Sequence, residues 1–219
     1  MRSPGDAAVD AVCWDWNGTL LDDTVVALAA MNTVLEERGL APMPDVEAYR
    51  AVFGFPVPAF YARLGVAEGE FRAAAERYLA VFAAQVGRAR LHDGALATLS
   101  AIGRLGVTQV LISATVPDVL ARQMGPHALA DHFAQVLGTT DAYAPSKTAV
   151  VAQWLRSSGH LPERVLMVGD TNHDEEIADE LGLDFVRFAR GHQRPPADDR
   201  HPVVEHLQEV VDHVRRNPG

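Results

Sequence analysis

The sequence predicts an α/β protein, a doubly wound parallel sheet interrupted once by an all-helical insertion. Three observations carry this expectation. A short apolar run bounded by turn residues opens the chain, residues 24–90 show helical spacing with no strand, and from residue 91 onward strand-like and helix-like segments alternate. The 219 residues are enough for one large domain or for one domain with a smaller insert, and 48% apolar with 22% charged residues excludes disordered, collagenous and disulfide-scaffold classes.

In chain order, Ala8 to Trp16 reads as a buried strand, being too short and too uniformly apolar for a helix, and it ends at the turn signal Asn17-Gly18. Thr24 to Arg38 reads as a helix with Leu28, Met31 and Leu35 on one face and Gly39 as its stop. The segment FGFPVPAF, residues 53–60, breaks helical continuity through one glycine and two prolines. Glu68 to Val86 is again helical, with Phe71, Ala75, Tyr78 and Phe82 on one stripe. After His92-Asp93-Gly94 the expected order is a helix to Leu105, a strand Gln109–Ser113, a helix after Pro117 and a strand Gln135–Thr139. There follow a helix Lys147–Ser157, a strand Arg164–Asp170, a helix Glu175–Leu181 and a strand Phe185–Phe188. A last helix, Val203–Val214, has Pro202 at its start and Arg215 and Arg216 near its negative end. The organisation is therefore a sheet core, residues 1–23 and 91–219, with the helical insertion at 24–90.

Acidic residues exceed basic ones, 29 against 19, for a formal net charge of −10, which opposes the phosphate backbone of nucleic acids. The single cysteine, Cys13, excludes an intramolecular disulfide and fits a reducing compartment. The apolar stretch Val25–Met31 falls far short of the ~18 residues of a membrane span, and the N-terminus lacks the apolar core of a signal peptide. The expectation is a cytoplasmic protein with neither a nucleic-acid nor a membrane partner.

In open parallel sheets ligands bind beyond the carboxyl ends of the strands, which directs attention to Asp15, Ser113, Lys147, Asp170 and Asp174. Each has an ordinary structural explanation. Asp15-Trp16-Asn17-Gly18-Thr19 fits a turn, Ser113 fits a helix start, Asp174 fits the first turn of a helix, and an isolated lysine is usually a solvated charge. Lys147, however, is the one lysine in the chain, the other basic residues all being arginine. Asp170 and Asp174 project toward one crevice, where two carboxylates repel unless a cation lies between them, and Mg²⁺ suits such a pair. Asp15 is placed to act as a carboxylate nucleophile on phosphorus.

Taken together, Asp15-x-x-x-Thr19, Ser113, Lys147 and Gly169-Asp170-x-x-x-Asp174, in this order and each after a core strand, resemble the haloacid-dehalogenase-like hydrolase superfamily. The similarity extends over nearly the whole chain. The insertion resembles the family's helical cap, and Pro145-Ser146-Lys147 and Phe53-Gly54-Phe55-Pro56 resemble phosphoglycolate-phosphatase-type members. The resemblance implies a Rossmann-like core, an aspartyl-phosphate intermediate, Mg²⁺ and a small phosphorylated metabolite as substrate. By position it makes Asp15 the nucleophile and a metal ligand, the backbone carbonyl of Asn17 a second ligand, and Asp170 and Asp174 the rest of the metal site. Ser113, Ala114, Thr19 and Lys147 become the phosphoryl contacts.

One residue departs from the pattern. Most phosphatases of the superfamily carry a second Asp two residues after the nucleophile as general acid and base, and here that position is Asn17. Turnover of simple alkyl phosphates is expected to suffer by the usual worth of general acid–base catalysis, about 10²- to 10⁴-fold, and an Asp restored at 17 is expected to recover it. His173 is one candidate replacement acid. A phosphonate hydrolase is excluded because residues 24–90 hold no lysine to form a Schiff base, and a dehalogenase is disfavoured by the acidic pair. The expected function is a Mg²⁺-dependent phosphatase with weakened acid–base catalysis, acting as a monomer or, alternatively, a dimer. The alternative from another class is a phosphate-binding or regulatory protein without physiological turnover. Arg50 and Arg63 are candidate substrate contacts from the cap.

Overall fold

Strand β1 (Ala11–Trp14) has no exposed residue, the signature of a central strand covered on both faces. The computed structural model describes residues 9–139 and 147–216. Ala8, Pro145 and Ser146, all named in the sequence reading, lie outside the described residues. Beyond β1 a short strand β2 (Leu21–Asp22) leads into helices α1 (Thr24–Glu36), α2 (Val46–Val52), α3 (Val57–Arg63) and α4 (Phe71–Gln85), and strand β3 (Arg90–Leu91) closes the excursion. The alternating part then runs α5 (Ala95–Arg104), β4 (Thr108–Ser113), α6 (Pro117–Met124), β5 (Gln135–Gly138), α7 (Thr148–Ser158), β6 (Val165–Gly169), α8 (Asn172–Leu181), β7 (Asp184–Phe188), β8 (Val203–Val204) and α9 (Gln208–Arg216).

The main sheet has the order β5-β4-β1-β6-β7-β8 and every pairing in it is parallel. Its register sets β1 between two partners, with Cys13 opposite Val110 on one side and Met167 on the other. Alternation along β1 sends Val12 and Trp14 to one face, where they pack with Leu99 and Ile102 of α5 and Val210 and Val214 of α9. Ala11 and Cys13 go to the other face, against Val151 and Trp154 of α7 and Ile177 of α8. The indole N–H of Trp14, buried in the first of these layers, donates to Gln109 Oε1 at 3.1 Å, and the Gln109 amide in turn donates to Leu99 O at 2.9 Å. A doubly wound sheet with helices on both faces is thus the architecture.

The helical insertion has a core of its own, built from Met31, Val34 and Leu35 of α1, Tyr49 of α2, Phe60 and Tyr61 of α3 and Ala74 and Ala75 of α4. It leaves and rejoins the chain through β2 and β3, which pair antiparallel with Leu21 opposite Leu91 and Asp22 opposite Arg90. This ribbon was not expected from the sequence, because two-residue strands carry no readable periodicity. The glycine and prolines of residues 53–60 do separate two helices, α2 and α3, as their chemistry requires.

The C-terminal segment differs from expectation. Val203 and Val204 are not the first turn of a helix but an edge strand paired with Arg187 and Phe188, and the helix begins only at Gln208. The β-branched pair gains a ladder and buries Val204, which outweighs the helical spacing of the valines. The side chain of Glu209 then caps the late helix, accepting from His206 N at 2.8 Å and Glu205 N at 3.1 Å.

One buried cation stands out in β7. Arg187 has its side chain 1% exposed and pairs with both Glu175 and Asp199. Removing one member of a buried ion pair costs about 3–5 kcal/mol, because the partner is left desolvated and unpaired. Arg187→Met is therefore expected to lower the unfolding free energy by roughly 3 kcal/mol in urea titrations, since Glu175 keeps Arg200 while Asp199 is stranded. A change under about 1 kcal/mol would show that the pair contributes little.

Candidate active site

The chain builds β4 and β5 on one side of β1 and then returns to place β6, β7 and β8 on the other, so the reversal of strand order falls between β1 and β6. Crevices at such points receive ligands in open α/β sheets. Asp15 and Asp170 are the first residues beyond these two strands. The amide of Asp15 still donates to Val168 O at 2.9 Å, extending the ladder by one bond and fixing where the carboxylate emerges.

The turn that follows is anchored in the core. The Trp16 ring is fully buried and its N–H donates to Gln123 Oε1 at 2.9 Å, while its carbonyl accepts from Leu20 N and Leu21 N at 3.0 and 2.9 Å. Gly18 has φ +79°, and a Cβ there would lie 2.4 Å from His192 Cδ2 and 2.5 Å from Asp170 Oδ2. Glycine is therefore required twice over, by the left-handed conformation and by the close approach of the Asp170 carboxylate.

Lys147, at the start of α7, is the electrostatic centre. Its side chain is 3% exposed, and the ammonium pairs with Asp15 and lies 2.7 Å from Asp174 Oδ1. Burial works against its charge, but Asp15 and Asp174 outweigh that and hold its pKa above the ordinary lysine value. Burial pushes the Asp15 carboxyl up, to about 8, against the pull of Lys147 and with the repulsion of Asp174 and Asp170 added. Burial likewise raises Asp170, to about 6, opposed by His192. Asp174 moves the other way, since Lys147 and the Thr171 hydroxyl overcome its burial. Thr171 and Asp174 form a capping box at the start of α8, with Thr171 N and Oγ1 donating to Asp174 Oδ2 at 3.1 and 2.7 Å. The helix therefore begins at Asn172, three residues before the expected Glu175.

Asp15, Asp170 and Asp174 each offer an oxygen within 4.8 Å of the others. Three buried carboxylates, two of them paired with the one ammonium and two with raised pKa values, form a cluster rich in hard oxygen donors and in excess negative charge, which fits a divalent cation such as Mg²⁺. Glu175, Asp179 and His201 also come together, but Arg187 and Arg200 already neutralise those two acids.

The other sequence candidates separate. Thr19, expected to touch substrate, is fully buried, and its hydroxyl donates instead to Asp170 Oδ1 at 3.2 Å. Ser113 Oγ accepts from Thr115 N at 3.1 Å, forming the turn after β4. Ala114 is exposed beside it, its carbonyl accepting from Thr139 Oγ1 at 2.7 Å. His173 is buried rather than solvated. Its Nε2 accepts the Lys147 N–H at 3.3 Å and burial lowers its pKa, so that nitrogen carries no proton to give. Arg50 and Arg63 are bonded to backbone carbonyls. Arg50 donates to the carbonyls of Gly191, at 2.7 Å, and Arg190, and Arg63 donates to Val52 O at 2.6 Å.

Sequence reading missed a second polar cluster. The Asn17 amide donates to Asp23 Oδ2 at 2.7 Å, and Gly18 N donates to Asp23 Oδ1 at 2.8 Å. His192 Nε2 meets Asp23 Oδ1 at 3.1 Å, and its Nδ1 meets the Tyr49 hydroxyl of α2 at 3.1 Å. The backbone N–H of His192 donates to Asp170 Oδ2 at 2.5 Å. Burial disfavours the charged imidazole, but Asp23 reverses this and holds the His192 pKa up at about 9. The Asn17 carbonyl oxygen accepts from Thr115 Oγ1 at 3.1 Å, so both ends of that amide are held. Asp23 reads in the sequence as an ordinary acid at a helix start. His192 follows the loop after β7, and only Gly191, where a Cβ would lie 2.2 Å from Asp170 Oδ2, marks that loop as passing close to the site.

Comparison with known proteins agrees with this geometry. Residues 12–188 match the haloacid dehalogenase-like hydrolase family. The chain is 28% identical over 221 residues to the tyrosine-protein kinase PtkA of Mycobacterium tuberculosis, covering 99% of this chain and 75% of that protein. It is 29% identical over 198 residues to a phosphoglycolate phosphatase of Rhodospirillum rubrum, covering 85% of this chain and 82% of the relative. Among solved structures, a haloacid dehalogenase-like hydrolase from Streptococcus pneumoniae superposes with a TM-score of 0.80 at 20% identity over 94% of this chain and 98% of its own. The carboxylates at the reversal point, the lysine between them and the match over most of the chain lead to one assignment: the protein belongs to the haloacid dehalogenase-like hydrolase family.

Proposed function

We propose that the protein is a Mg²⁺-dependent phosphatase that cleaves a small phosphorylated metabolite through a phosphoryl group carried on Asp15. The observation that supports this most directly is the convergence of Asp15, Asp170 and Asp174 at the strand-reversal crevice, with the Lys147 ammonium paired to Asp15 and Asp174. The phosphoglycolate phosphatase of Rhodospirillum rubrum among its relatives points to the same substrate class.

In the first step an Asp15 carboxylate oxygen attacks phosphorus in line, and the bond to the leaving oxygen breaks. Lys147 neutralises charge on the phosphoryl oxygens, and Ser113 and the Ala114 amide lie at the end of the neighbouring strand β4 to bind them. Mg²⁺, held by Asp15, Asp170, Asp174 and the Asn17 backbone carbonyl, supplies further neutralisation when bound. Thr19 and the His192 N–H hold the Asp170 carboxylate in place. Helices α1–α4 act as the cap over this crevice, with Tyr49, Arg50 and Phe55 already touching the core.

The Asn17 amide is too weak an acid to protonate the leaving group and too weak a base to take a proton from water. A leaving group that departs as a stable anion is thus favoured, and water attacks the phosphorylated Asp15 slowly. The same residue favours a second reading, in which the phosphoryl group passes from Asp15 to an acceptor other than water, such as the tyrosine implied by the name of the mycobacterial relative.

Mixing the protein with an aryl phosphate and Mg²⁺ is expected to give a burst of phenol followed by slower turnover. Both phases should vanish on chelation, and Asp15→Asn should form no phosphoprotein. A steady rate without a burst would count against a slow second step.

The structure also revises the expected effect of restoring an acid at position 17. An Asp there would sit about as close to Asp23 as the Asn17 amide does now, 2.7 Å, and two carboxylates at that distance share one proton. Asn17→Asp alone is expected to gain little and to lower thermal stability. The double change Asn17→Asp with Asp23→Asn, which keeps one amide and one carboxylate, is expected to raise kcat on alkyl phosphates by about 10²- to 10⁴-fold. Equal rates for the single and double variants would show that Asp23 does not govern residue 17.

A further inference from the structure

The cap approaches the site with aromatic rings and keeps its cations elsewhere. Phe55, half-buried, stacks on the His173 imidazole with ring centroids 4.5 Å apart and planes at 22°. His173 accepts the Lys147 N–H, and the Lys147 ammonium pairs with Asp15, so the Phe55 ring lies two residues away from the nucleophile through direct contacts. Its backbone is clamped. Phe55 N donates to Asn172 Oδ1 at 3.0 Å, and Asn172 Nδ2 donates back to Phe55 O at 3.2 Å. Phe53 stands edge-on to Phe55 with centroids 6.0 Å apart and lies 5.4 Å from the His192 ring, continuing the aromatic wall toward Asp170.

Charge points the same way. The two cap arginines that flank this loop are held by backbone carbonyls, Arg50 by Gly191 and Arg190 and Arg63 by Val52. Arg194, which reaches the cap from the core, pairs with Glu47. His173 and His192, the two imidazoles these rings meet, adjoin a cluster of carboxylates, Asp15, Asp23, Asp170 and Asp174, against which Lys147 and His192 are already paired. Residues 140–146 contain neither lysine nor arginine. Among the described residues no arginine contacts these carboxylates or the Phe53 and Phe55 rings, so a second anion on the leaving group would meet carboxylates and rings, whereas an apolar ring would meet an apolar wall.

We propose that the leaving-group side of this site selects an uncharged aromatic group through Phe55 and Phe53 and rejects a carboxylate, so that the substrates are phosphate monoesters of aromatic alcohols or phenols rather than phosphoglycolate. This rests on the phosphatase reading and specifies its substrate class.

The test compares benzyl phosphate, ethyl phosphate and 2-phosphoglycolate with Mg²⁺. All three release alkoxides, so the comparison reads the group recognised and not the acidity of the leaving oxygen. Benzyl phosphate is expected to exceed ethyl phosphate by at least about 10-fold in kcat/KM, the worth of one well-packed ring. Phosphoglycolate should not exceed ethyl phosphate, and Phe55→Ala should bring the benzyl-to-ethyl ratio close to one. A preference for phosphoglycolate, or a ratio untouched by Phe55→Ala, would overturn the proposal while leaving the phosphatase reading intact. Absence of turnover with all three and with an aryl phosphate would overturn the phosphatase reading instead. The same selectivity is then read as dissociation constants of benzylphosphonate, ethylphosphonate and phosphonoacetate by calorimetry. The ring-bearing ligand must again bind about 10-fold more tightly for the proposal to stand.

Discussion

The structure depends on one buried balance of charge, the Lys147 ammonium set between Asp15 and Asp174. Lys147 offsets the desolvation of both: it holds Asp174, in the first turn of α8, below the ordinary carboxyl range and pulls Asp15, just beyond β1, back against its burial. The balance is incomplete by design of the residues present, since Asp170 adds a third carboxylate that no lysine or arginine meets. A pocket in which the carboxylates of Asp15, Asp23, Asp170 and Asp174 outnumber Lys147 and the His192 imidazole keeps capacity for further positive charge, such as a divalent ion. The structural elements serve this arrangement. The ladder between β1 and β6 aims Asp15 and Asp170, the capping box of α8 fixes Asp174, and Gly18 allows the turn after β1 to lie against Asp170.

Asn17 shows how one side chain reorganises its surroundings. Its amide does not sit in the crevice as a blunted copy of a carboxylate but is shared between Asp23 and Thr115. Asp23 in turn anchors His192, and His192 reaches Tyr49 of the cap. The acid expected two residues after the nucleophile is absent, while a buried acid stands 2.7 Å from the amide that replaced it. The hydrogen bond that joins them, and the repulsion two carboxylates would meet at the same distance, make residues 17 and 23 a coupled pair, so neither can be understood alone.

The sheet and the primary site were legible in the sequence because they rest on strong local signals. The apolar run at 11–14, the alternating segments after residue 91, Gly18 and the acidic pair at 170 and 174 each state their role through chemistry within a few residues. What could not be read depends on contacts between distant segments. Val203–Val204 carries helical spacing but gains more as an edge strand beside Arg187 and Phe188. Nothing in the sequence around Arg50 and Arg63 announces that they bond to backbone carbonyls, Arg50 to one 141 positions away. His192 and Asp23 are 169 positions apart, and nothing local to either announces the other.

The two-residue strands β2 and β3 give the molecule a further property. Because Leu21 lies opposite Leu91 and Asp22 opposite Arg90, the helical excursion starts and finishes at a single doorway. The six-stranded sheet is threaded without any of the intervening helices supplying a strand to it. Such a modular junction allows the helical insertion to change in size or composition while the sheet beneath Asp15 and Asp170 keeps its register.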